Sequence, residues 1–86
     1  MTITTQQAQL CVDAAQRVVE QAASELGMSR RKVARRYRRG RKQDAEVVTT
    51  VLRLAAAESV AIDPDNLRAI LEIILEFIKA LFDIFS

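Results

Sequence analysis

Residues Pro64 to Phe85 read PDNLRAILEIILEFIKALFDIF, and this stretch decides the architecture. Its charges are Arg68, Glu72, Glu76, Lys79 and Asp83, at spacings that place them on one narrow line of a helix. Nearly everything else is Leu, Ile, Phe or Ala, including all three phenylalanines of the chain. A lone surface helix needs an apolar stripe of somewhat over ~100°, and this one has far more. The helix is therefore either central in the fold or shared between subunits. The expected subunit contacts are Leu67, Ile70, Leu71, Ile74, Phe77, Ile78, Leu81, Phe82 and Phe85. The start is sharp: Asp63 as cap, Pro64 at the first helical position, and Asp65 at the positive end of the helix dipole. Five charges argue against a membrane span, since each costs roughly 2.5–3.5 kcal/mol near the bilayer centre.

Upstream, Thr5 to Leu26 shows a second helical period. Leu10, Cys11, Ala14, Ala15, Val18, Val19, Ala22, Ala23 and Leu26 recur at threes and fours. Thr4 or Thr5 can cap it, and Gly27 can end it in a left-handed turn. A third segment, about 44–61, begins at Asp44 as cap. Its apolar side is Val47, Val48, Val51, Leu52, Leu54, Ala55 and Ala56, with Glu46, Thr50, Arg53 and Glu58 opposite. With two glycines and one proline there is little turn material, so the chain is expected to be all-α. The expectation is a single domain over 1–86, a bundle of about four helices near 5–26, 29–39, 44–61 and 64–85. A basic helical hairpin (1–42) precedes an apolar one (43–86), and the C-terminal helix makes an oligomer. An 86-residue chain buries only about 60% of its unfolded surface on its own, which favours such a partner.

The remaining segment, Arg30 to Lys42, reads RRKVARRYRRGRK. It holds nine of the thirteen basic residues and no acid. The rest of the chain carries four basic and eleven acidic side chains, −7 against +9, so the net charge of +2 hides strong polarisation. Val33, Ala34 and Tyr37 share one face, enough to seat a short helix capped by Ser29 and ended by Gly40. Arg31, Arg35 and Arg38 point outward at i, i+4 and i+7, with Lys32, Arg36 and Arg39 beside them and Arg41 and Lys42 in the connection. A block of like charge needs a polyanion, and regularly spaced phosphates reward several cations at once. The candidate nucleic-acid-binding residues are thus Arg30, Arg31, Lys32, Arg35, Arg36, Arg38, Arg39, Arg41 and Lys42.

The stretch Ala22 to Arg39, AASELGMSRRKVARRYRR, resembles the helix-turn-helix of prokaryotic and phage DNA-binding proteins. The likeness covers eighteen residues. It lies in a small residue (Ala23), a glycine four later (Gly27) and a branched apolar residue six beyond (Val33), with Leu26 and Met28 flanking the turn. The resemblance implies that Arg30, Arg31 and Lys32, with Arg35 one turn on, meet base edges in the major groove while their neighbours hold phosphates.

With no histidine, no glycine-rich phosphate loop and one cysteine, the chain lacks the usual general base, nucleophile pairs and zinc ligands. No enzyme activity, cofactor or metal is expected, and Cys11 reads as a small buried hydrophobe. Three functions stay open. The first is a homo-oligomeric nucleic-acid-binding protein, DNA before RNA, of regulator or phage and plasmid accessory type. The second is an assembly protein whose basic helix meets an acidic partner. The third is an amphipath on an anionic membrane surface. The opening MTITTQQAQ lacks the basic start and apolar run of a secretory signal, so the expected location is cytoplasmic, the host's cytoplasm if the chain is viral.

Overall fold

Four helices fold together: α1 (Thr5–Leu26), α2 (Arg30–Arg39), α3 (Ala45–Ile62) and α4 (Leu67–Phe85). Single 3₁₀ turns at Lys42–Asp44 and Pro64–Asn66 lead into α3 and α4. The structure is a computed structural model that describes residues 3–85, and no strand occurs among them. The twenty-two residues of α1 span about 33 Å at 1.5 Å per residue, nearly the whole 35 Å long axis of the molecule.

Local chemistry sets each boundary. Thr4 closes a capping box at the head of α1: its hydroxyl accepts from the Gln7 N–H at 3.0 Å, and the Gln7 side chain accepts from the Thr4 N–H at 3.1 Å. At the other end Gly27 adopts φ 64°, the Met28 N–H donates to the Ala23 carbonyl, and the Gly27 N–H donates to the Ser24 carbonyl. That paired arrangement turns the chain through three residues into α2. Gly40, at φ 58°, ends α2 with a single bond from its N–H to the Arg36 carbonyl. Asp63 accepts from the Asp65 N–H at 3.2 Å, from Asn66 Nδ2 at 2.8 Å and from Gln7 Nε2 at 3.4 Å. It thereby ties the foot of α4 to the head of α1, and Pro64 opens the 3₁₀ turn rather than α4 itself.

The core is one cluster. Cys11, Ala14, Ala15, Val18 and Ala22 of α1 meet Val51 and Ala55 of α3 and Ile70, Ile74, Ile78 and Phe82 of α4, all without exposed surface. Alanines on α1 let α3 and α4 approach closely, and α2 lies against all three other helices. The basic and apolar hairpins therefore share one interior.

Four expectations are corrected. Ile70, Ile74, Ile78 and Phe82 were expected at a subunit contact, but they are 0% exposed within a single chain. Much of the apolar face of α4 is covered by its three neighbours within the chain, since α4 packs against α1, α2 and α3. Leu71, Phe77 and Leu81 pack partly buried around that core, Leu67 stays 39% exposed, and the Phe85 side chain lies outside the described residues. On α3, Thr50 is buried although it was placed on the polar side, and Leu52 turns outward. Leu10, read as part of the buried stripe of α1, is also exposed. Ser59 is buried too, its hydroxyl satisfied by donating to the Ala56 carbonyl at 2.8 Å.

Two ion pairs bridge α1 and α3. Arg17 clasps Glu58 through Nε and Nη2 at 3.0 and 2.8 Å, and Arg53 donates to Glu25 at 2.5 Å. Such exposed pairs contribute about 0–1 kcal/mol each, so they align the helices more than they hold them. Their larger consequence is to occupy two acids with cations outside the basic segment.

Candidate nucleic-acid interface

An isolated α2 would be a poor helix. Arg31 and Arg35, and Arg35 and Arg39, are like charges at i and i+4, each pair costing roughly 0.2–0.5 kcal/mol. Arg30, Arg31 and Lys32 also crowd the positive end of its dipole. The rest of the fold compensates. Ser29 caps the helix by accepting from the Lys32 N–H at 3.2 Å. Val33 and Ala34 are fully buried, and the Tyr37 ring tilts at 56° against Phe82 with centroids 5.3 Å apart. Burial pushes the Tyr37 phenol pKa up, so the ring stays neutral and acts as a packing group.

With that face anchored, the opposite face stands open. Arg31, Arg35, Arg38 and Arg39 line a surface concavity of about 460 Å³. The first three are the outward line expected from the sequence, and Arg39 joins them one residue past Arg38. Arg30, Arg31, Arg35, Arg41 and Lys42 are exposed, and Lys32 and Arg36 are partly buried.

The acids reach only part of this surface. Arg38 Nη2 lies 3.5 Å from Asp83 Oδ1. Arg39 donates through Nε and Nη2 to Asp44 at 2.9 and 2.8 Å, and the Arg41 N–H donates to the same carboxylate at 3.1 Å. Among the described residues Arg31, Lys32, Arg35, Arg36, Arg41 and Lys42 form no ion pair. Among the described residues these six cations thus have no carboxylate at ion-pair distance, although Arg36 adds to the positive charge that lowers the Asp44 pKa.

Asp44 was expected to cap α3, and here the structure differs. It stands at that position but makes no side-chain cap bond; its fully buried carboxylate turns back to Arg39. A bidentate, charge-assisted pair outcompetes a single neutral cap bond. Asp44 therefore orients Arg39 beside the concavity and fixes the chain leaving Gly40. The Arg39 guanidinium, with the Arg41 N–H, holds the Asp44 carboxyl below the ordinary carboxylate range, although burial acts the other way.

A carboxyl with a lower pKa folded than unfolded stabilises the fold above its unfolded value, and that contribution fades as pH falls toward the folded value. Asp44→Asn should therefore unfold at a lower temperature than wild type near pH 7, and the gap should close below about pH 4. Thermal unfolding followed by circular dichroism across that range checks it. A gap of constant size down to about pH 2 would mean the carboxylate charge is not what Asp44 contributes.

Elsewhere Cys11 is buried, and burial raises its thiol pKa, away from the reactive thiolate. Among the described residues no helix is long and apolar enough to cross a membrane, and no group of three or more acids, histidines or cysteines is placed to hold a metal ion. Compared with known protein families, curated proteins and solved structures, the chain has no match. Its function must be read from its own residues.

Proposed function

We propose that this chain is a small homo-oligomeric nucleic-acid-binding protein, with DNA favoured over RNA, that binds through α2. One observation carries the reading: the fold works against charge repulsion to present Arg31, Arg35, Arg38 and Arg39 around one open concavity. Of these, Arg31 and Arg35 form no ion pair among the described residues, whereas a phosphate backbone neutralises several cations together and releases counterions as it does so. Arg30, Arg31, Lys32 and Arg35 occupy the leading turns of α2, where a helix-turn-helix presents side chains to base edges. Arg36, Arg38, Arg41 and Lys42 are then placed for phosphates, and Arg39 is aimed by Asp44. The three-residue turn at Gly27–Ser29 and the Ser29 cap support that geometry. Oligomerisation through α4 would double the positive surface.

The assembly reading differs in the ligand: an acidic protein surface would meet the same arginines. It predicts equal affinity for any flexible polyanion. Fluorescence anisotropy with duplex DNA, single-stranded DNA, RNA and polyglutamate, run in parallel at matched charge, separates the two. The nucleic-acid reading expects duplex DNA to bind tightest. Polyglutamate binding as well as duplex DNA would contradict it.

A further inference from the structure

Apart from α2, the surface least explained by the fold lies on α4. Ala69, Glu72, Ile73, Leu75, Glu76 and Phe77 line a shallow depression of about 560 Å³. Beyond it Ala80 is exposed, and Ile84, at 76%, is the most exposed large apolar side chain among the described residues. Ala69, Ile73, Phe77, Ala80 and Ile84 follow one another at three or four residues and so form a single strip of helix. The line of charges from Arg68 to Asp83 runs along one flank of that strip.

We propose that this strip pairs antiparallel with the same strip of a second copy, about a two-fold axis passing between Glu76 and Phe77. The inference rests on the oligomeric reading above and adds the face, the direction and the register. Two patterns become self-complementary under that reversal. The first is size. Ala69 comes opposite the partner's Ile84 and Ile73 opposite the partner's Ala80, so large meets small on either side of a central Phe77. The second is charge. A two-fold of this kind keeps both charge lines on the same side of the helix pair. At 1.5 Å per residue, Lys79 falls between the partner's Glu72 and the partner's Glu76, about 3 Å along the axis from each. Arg68 has the same offset from the partner's Asp83.

A parallel two-fold would instead put the two charge lines on opposite sides of the helix pair, where neither meets its opposite, and would set each residue of the strip level with its own copy. An anionic lipid surface or a nucleic acid is a poorer occupant still, because the flanking line carries two cations against three acids. A second copy of this chain is the partner whose charges fit.

Sedimentation equilibrium without nucleic acid tests the proposal. Wild type should be dimeric. Lys79→Glu alone, and Glu72→Lys with Glu76→Lys in another chain, should each raise the dimer dissociation constant by roughly tenfold or more, since every reversal puts like charges together twice per dimer. An equimolar mixture of the two variants should restore the dimer as a mixed pair. All three positions are exposed, and helical circular dichroism confirms that the variants fold. A wild type that stays monomeric overturns both this proposal and the oligomeric reading. A dimer indifferent to the reversals, or variants that do not pair when mixed, overturns the face and register while leaving oligomerisation and nucleic-acid binding standing.

Discussion

Arg31→Glu combined with Arg35→Glu should abolish duplex binding while leaving the fold as stable as wild type or more so. Both side chains are exposed, line the same concavity and form no ion pair among the described residues. Removing them unsatisfies nothing inside the protein. Acids in the first turns of α2 also suit the positive end of its dipole and relieve the crowding of like charge. Two lost charge-assisted contacts of roughly 1–3 kcal/mol each should weaken binding by at least about thirtyfold. Anisotropy titrations and thermal unfolding on the same samples give the two readouts. Binding that survives, or stability that falls together with it, would mean these arginines serve the fold and not a ligand.

The largest effect on stability is expected at Phe82. It is fully buried in the core near the end of α4 and is the side chain against which Tyr37 seats α2. Phe82→Ala should cost about 3–5 kcal/mol through lost burial and the cavity left behind. A domain this small has about 5–15 kcal/mol to lose, and each kcal/mol moves the midpoint by roughly 4–8 °C. A drop of more than about 12 °C is therefore expected, with α2 loosened along with α4. A fall of only a few degrees would show that Phe82 is not the keystone between the two helices.

The four helices were legible because their ends carry specific chemistry. Thr4, Gly27, Ser29, Gly40 and Asp63-Pro64 each do what their residue type dictates, and the periods at threes and fours name most of the buried positions. The role of α4 was not legible. A narrow line of charge says that the rest of a helix is covered, and one's own helices cover it as well as a partner's do. Ser59 was missed for a related reason: its hydroxyl enters the core at little cost because the Ala56 carbonyl is within reach, and composition does not reveal that. The cations of the interface could be listed from the sequence, and the outward line through Arg31, Arg35 and Arg38 follows from helical spacing. Which of them an acid would occupy did not follow. Asp44 has the composition of a cap, and only the fold, by turning the chain at Gly40, brings Arg39 close enough to claim its carboxylate.

The central claim is that α2 holds cations in readiness for a polyphosphate, and its salt dependence measures this directly. If about five phosphates are neutralised per protomer, log affinity for duplex DNA against log salt should fall with a slope near about −4.5. An affinity that stays flat from low to moderate salt would contradict the claim, whatever the affinity itself.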